Sequence, residues 1–122
     1  MSSEIDITAG IRTDLFAAIK YENRKGKGGT VIGMELGGHF VFRWIFQEAW
    51  KHISVGIVTA NRCKFHTAKS LFNDADAWAR FGTNEAIAIG RCLRYFVDHG
   101  MMPLSVVNPN ETGTKLYALT NR

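Results

Sequence analysis

Proline and cysteine are both scarce, two of each in 122 residues. With little proline and ordinary charge, 21% charged beside 46% hydrophobic, the composition is that of a folded domain rather than a disordered chain. Cys63 and Cys92 are too few for a disulfide scaffold and fit a reducing cytosol. Long apolar runs are missing too: the best, Phe40 to Phe46, is interrupted by Arg43 and falls well short of the ~18 residues a membrane span needs. No segment repeats at a fixed period. The opening Met1, Ser2, Ser3, Glu4, Ile5 and Asp6 are acidic and polar, unlike a secretion signal. Neither sign of charge dominates. Fifteen Lys plus Arg against eleven Asp plus Glu leave +4, with a pI near 9.3, which permits an anionic partner without requiring one. The expectation is a single cytoplasmic domain, residues 1–122, long enough to bury a core.

Thr13 and Asp14 carry a helix-start signal, and Leu15, Ala18 and Ile19 recur at helical spacing behind them. Residues 23–29, Asn-Arg-Lys-Gly-Lys-Gly-Gly, read as a basic glycine-rich loop, and residues 30–36 as a short strand. Residues 39–53 make the second helix candidate. Phe42, Ile45, Phe46, Ala49 and Ile53 fall on one face, while Phe40, Val41 and Trp44 make the other side apolar as well, a pattern of burial on several sides or of pairing with another chain. Residues 55–58 suit a brief strand. Thr67 caps a helix over 68–72, and residues 75–81 form another that Gly82 stops with a left-handed cap. Thr83 opens the strongest helix, with Ala86, Ile89, Leu93, Phe96 and Val97 as its core stripe and Gly100 as its end. Residues 104–107 and 114–119 then read as two strands around a dense turn signal at 108–113.

The order helix, turn, helix, hairpin, together with the run Gly90, Arg91, Cys92, Leu93, Arg94, Tyr95, Phe96 and the stop at Gly100, resembles the winged helix-turn-helix superfamily over about half the chain, from Phe65 to Leu119. The resemblance extends to small repressors and replication or partition proteins of bacteria, plasmids and phages. It implies that the helix before the wing enters the DNA major groove, that the wing lies along the backbone or in the minor groove, and that the protein is a homodimer on a palindromic site. The fold expected is therefore α+β: a mostly helical winged helix-turn-helix over 59–122 with a C-terminal β-hairpin wing, preceded over 1–58 by an N-terminal helical extension and a packing or dimerisation helix.

Surface chemistry is consistent with double-stranded DNA as the partner. With the stripe turned inward, the recognition helix presents Asn84, Ala88, Arg91, Arg94 and Tyr95. Asn pairs with adenine, and Arg reads guanine or grips phosphate with two parallel hydrogen bonds. The plainer alternative is a pair of solvated arginines, one of them bound to Asp98. Between Glu48 and Asp74 there is no acid, and Lys64, His66, Thr67 and Lys69, with Arg62, gather at the start of the preceding helix, where side chains and free amides hold phosphate. A solvated basic turn is the competing account. In the wing, Thr112, Thr114 and Lys115 are placed to reach the backbone.

Other functions find less in the sequence. No His-Glu-x-x-His and no serine elbow is present, so no enzyme is expected. Cys63 with His66 and Cys92 with His99 match no standard zinc spacing, and Cys92 reads as a small apolar core residue. Neither a metal nor a cofactor is expected. The rival to DNA binding is a protein-binding module, such as a small phage- or plasmid-encoded inhibitor of a host complex. It would use Phe40, Trp44 and Trp50 as a dimer or partner interface, against the simpler reading that these rings fill the core.

Overall fold

Two consecutive tight turns shape the N-terminal half. In the computed structural model, which describes residues 10–107 and 115–120, strand β1 (Glu22–Gly26) pairs antiparallel with β2 (Gly29–Leu36), and β2 with β3 (His39–Phe42). Gly37 and Gly38, both at positive φ (57° and 86°), make the two-residue connection from β2 to β3, the backbone that a right-twisted hairpin selects. The expected helical extension is thus largely a three-stranded meander. The basic segment expected as a loop is strand β1 and its turn, held by pairing from Glu22↔Gly33 to Gly26↔Gly29. Arg24 bonds Glu22 and Glu35 at 2.9 and 3.0 Å and lies 4.3 Å above the Phe40 ring. Of the helix expected at Thr13 only the short α1 (Thr13–Ala17) forms, with Arg12 and not Thr13 as its N-cap and no side-chain cap bond; Ile19 and Tyr21, beyond its end, still pack on the core.

Helix α2 (Arg43–Thr59) begins later than the apolar pattern suggests, because residues 39–42 pair in the sheet. It also runs through residues 55–58, expected as a strand. Burial of Ile53 and Ile57 in the helical stripe outweighs the β preference of valine and isoleucine there. Its buried face comprises Ile45, Phe46, Ala49, Trp50, Ile53 and Ile57. Gly56 sits where the backbones of α2 and α3 touch: a Cβ there would collide with the carbonyl of Leu71.

Helix α3 (Ala68–Leu71) opens on a reciprocal cap in which Ser70 N donates to Thr67 Oγ1 (3.1 Å) and Thr67 N to Ser70 Oγ (2.8 Å). In α4 (Ala75–Ala79) the Asp74 carboxylate accepts from Ala77 N, which holds its pKa below the usual carboxylate range. Gly82 does not take the expected left-handed form. Its φ is −76°, and it serves as the extended N-cap of α5 (Thr83–Asp98), donating its N–H to Glu85 at 2.9 Å. Gly100, at φ +68°, ends α5 as anticipated, with Gly100 N bonded to Val97 O and Met101 N to Phe96 O, the pair of bonds that closes a helix C-terminus.

The core lies between α2 and α5. Ile89, Cys92, Leu93 and Phe96 of α5 are fully buried, and Phe96 packs edge-on to both Phe46 and Trp50, with centroids at 6.2 and 5.1 Å. A separate hairpin, β4 (Leu104–Val106) with β5 (Tyr117–Leu119), follows α5, with Leu104↔Leu119 and Val106↔Tyr117 in register. The hairpin tip expected at 108–113 lies outside the described residues. The chain is α+β, and among the described residues no helix is long and apolar enough to cross a membrane.

Candidate nucleic-acid interface

Helices α3, α4 and α5 and the strand β5 enclose an open groove of about 820 Å³. Its floor carries Trp78, Ala86, Gly90 and Tyr117, and its walls carry Lys69 from α3, Arg91 and Arg94 from α5, and Lys115 just before β5. Among the described residues no carboxylate lines it. The position of each wall is fixed locally. The Thr67–Ser70 cap starts α3, the buried stripe of α5 turns Arg91 and Arg94 outward, and a backbone bridge between His66 and Tyr117 attaches the start of α3 to β5.

The four cations are held differently. Arg94 donates from Nε to Asp98 Oδ1 at 2.9 Å, one turn along the helix, with both side chains well exposed, so the pair is weak and its partner readily exchanged. Arg91 and Lys69 have no ion-pair partner among the described residues. Burial raises the Tyr117 phenol above its ordinary pKa and keeps it neutral at the groove floor.

The sequence-predicted residues divide into three groups. Lys69, Thr67, Arg91, Arg94 and Lys115 meet at the groove, although the Thr67 hydroxyl is engaged as the α3 cap. Lys64, His66 and Asn84 do not line it. Lys64 is exposed in the preceding turn, His66 Nε2 lies 2.8 Å from the Asn61 carbonyl, and Asn84 is exposed in the first turn of α5. Ala88 and Tyr95 are misplaced by the sequence reading. Both pack against the core, Tyr95 edge-on to Phe46 at 5.9 Å. The reason is Cys92: fully buried, it shifts the inward face toward its neighbours at i−4 and i+3 and turns Ala86 out into the groove. Thr112 and Thr114 lie outside the described residues. Trp78, Ile87 and Gly90 belong to the site and were not anticipated, although Ile87 shares a face with Arg91 and Arg94 at i, i+4 and i+7.

No protein-family model, curated protein or solved structure matches this chain.

The aromatic interface expected of Phe40, Trp44 and Trp50 does not form one surface. Trp50 is a core residue, stacked on Phe16 with centroids 4.6 Å apart and planes 11° from parallel, because α1 folds back over the half of α2 that carries it. Phe40 is half-buried beneath Arg24. Trp44 alone is open, 46% exposed beside Phe81 and not far along the chain from the exposed Phe42. Cys63 is exposed and Cys92 buried, its thiol pKa driven well up by desolvation. Among the described residues no group of three His, Cys, Asp or Glu side chains is placed to hold a metal ion.

Proposed function

We propose that the protein binds double-stranded DNA through α5 and the groove beside it, as a winged helix-turn-helix protein. The observation that carries this reading is the convergence of Lys69, Arg91, Arg94 and Lys115, from three separate segments, on one groove to which the described residues bring no carboxylate. Cations arranged so are fit to neutralise phosphates along a polyanion, and Arg91 and Arg94, one turn apart, to reach guanine. The succession α2, α3, α4, α5, β4, β5 supports it, since a helix pair precedes an antiparallel hairpin pinned beside it at His66 and Tyr117. On this reading the protein is a binding protein and not an enzyme. It acts as a transcriptional repressor or a replication or maintenance factor of a bacterium or mobile element, in the cytoplasm and as a homodimer on a two-fold site. Fluorescence anisotropy of wild-type protein with random-sequence duplex across a salt series is the test. Affinity falling steeply with salt supports the reading; no affinity for any duplex at low salt defeats it.

A second reading has one observation in its favour. Trp44 and Phe42, 46% and 41% exposed, offer apolar surface away from the groove, as a protein-docking site does. A protein that ignores DNA and loses a partner on change of Trp44 would be of this kind.

A further inference from the structure

Ile87 is the most exposed large apolar side chain on α5, at 50%, in a helix whose other large apolar residues are turned inward or half-covered. Single exposed apolar residues are ordinary, but the surroundings of this one are not. It stands on the face that carries Arg91 and Arg94, in a groove whose charged lining, among the described residues, is cationic. Among the described residues its flank is open: an added Cβ on Gly90 would meet nothing within 4 Å, and Ala86 projects only a methyl group. Being β-branched, isoleucine is held to essentially one χ1 rotamer in a helix, so the direction of this apolar side chain is largely fixed. A surface of this kind fits a polyanion that presents one apolar group at a defined place. On the major-groove edge of DNA that group is the 5-methyl of thymine.

We propose that Ile87 contacts a thymine 5-methyl and makes the protein select a T·A pair at that position. The proposal rests on the DNA reading above and names a base that reading leaves open. The arginines supply attraction and contacts to guanine or phosphate, whereas Ile87 distinguishes thymine from the other bases by its methyl group.

The experiment begins with a duplex that wild-type protein selects from a random pool. Each thymine in it is then replaced in turn by deoxyuridine, which lacks only the methyl. One methyl contact corresponds to about 0.8 kcal/mol, or roughly a fourfold loss of affinity. The expected result is such a loss at one position for wild type, none for Ile87→Ala, and retention of the thymine preference by Ile87→Val. A thermal melt confirms that Ile87→Ala folds, as a half-exposed site should allow. If wild type binds thymine and deoxyuridine duplexes equally at every position, or if Ile87→Ala keeps the preference, the proposal is overturned while salt-dependent affinity still upholds DNA binding. If wild type binds no duplex at all, the DNA reading itself falls and this assignment with it.

Discussion

His66 and Tyr117 exchange both backbone hydrogen bonds, His66 N to Tyr117 O at 2.8 Å and Tyr117 N to His66 O at 2.7 Å. This one bridge joins the segment that leads into α3 to the strand that closes the chain's second sheet. Lys69 lies just after His66 and Lys115 just before Tyr117, so the same pair of bonds brings two cations, distant in sequence, to one groove.

Gly56→Ala should destabilise the protein by about 1–3 kcal/mol, because the new methyl group meets the Leu71 carbonyl and the two helices must separate. Urea unfolding measures it. An unchanged midpoint would show that α2 and α3 are not in backbone contact.

The two tryptophans of α2 should behave oppositely. Trp50→Ala empties a core site between Phe16 and Phe96 and should cost about 3–5 kcal/mol. Trp44→Ala removes a ring that is 46% exposed and should cost much less. Equal losses in thermal melts would contradict this placement. Light scattering on Trp44→Glu adds a separate point: conversion of a dimer into a folded monomer would put the subunit interface at Trp44.

Cysteine chemistry is expected to be unequal in the native protein. Cys63 is exposed and should react promptly with an aromatic disulfide reagent, whereas Cys92 is buried and its thiol is held far from ionisation. The readout is one fast thiol per native chain and both after denaturation. Two fast thiols in the native state would mean that the α5 face carrying Cys92 is not buried.

The effect of removing each charge follows from where the cations sit. Lys69→Ala should weaken binding to all duplexes alike and reduce the salt slope by about one unit, while Lys64→Ala, outside the groove, should change it less. Arg91→Ala should cost about 1–3 kcal/mol on a selected site and relax the choice of base there. Anisotropy with selected and scrambled duplexes separates the two behaviours. A Lys64 effect equal to that of Lys69 would move the phosphate path off the groove.

Sequence alone determined those features whose cause is local. The cap at Thr67, the opening of α5 near Thr83, its end at Gly100, the strand Gly29–Leu36 and the pairing segments on either side of the turn signal at 108–113 each depend on backbone or side-chain preferences within a few residues. Arg91 and Arg94 were legible as an outward pair for the same reason. Tertiary structure decided the rest. Glu22–Gly26 is charged and exposed, with nothing in its own pattern to make it a strand; it is one because β2 supplies its hydrogen-bond partners. On the helix that is apolar nearly all round, Ile45, Phe46, Ala49 and Ile53 were legible as one face, but that Trp50 joins them inside was decided only by Phe16 stacking on it. The face of α5 shifted because burial of Cys92 drew Ala88 and Tyr95 inward and left Ala86, Ile87 and Gly90 to the groove. Local rules reach a few residues along the chain, whereas a binding surface assembled from three segments exists only after long-range packing has chosen which sides meet.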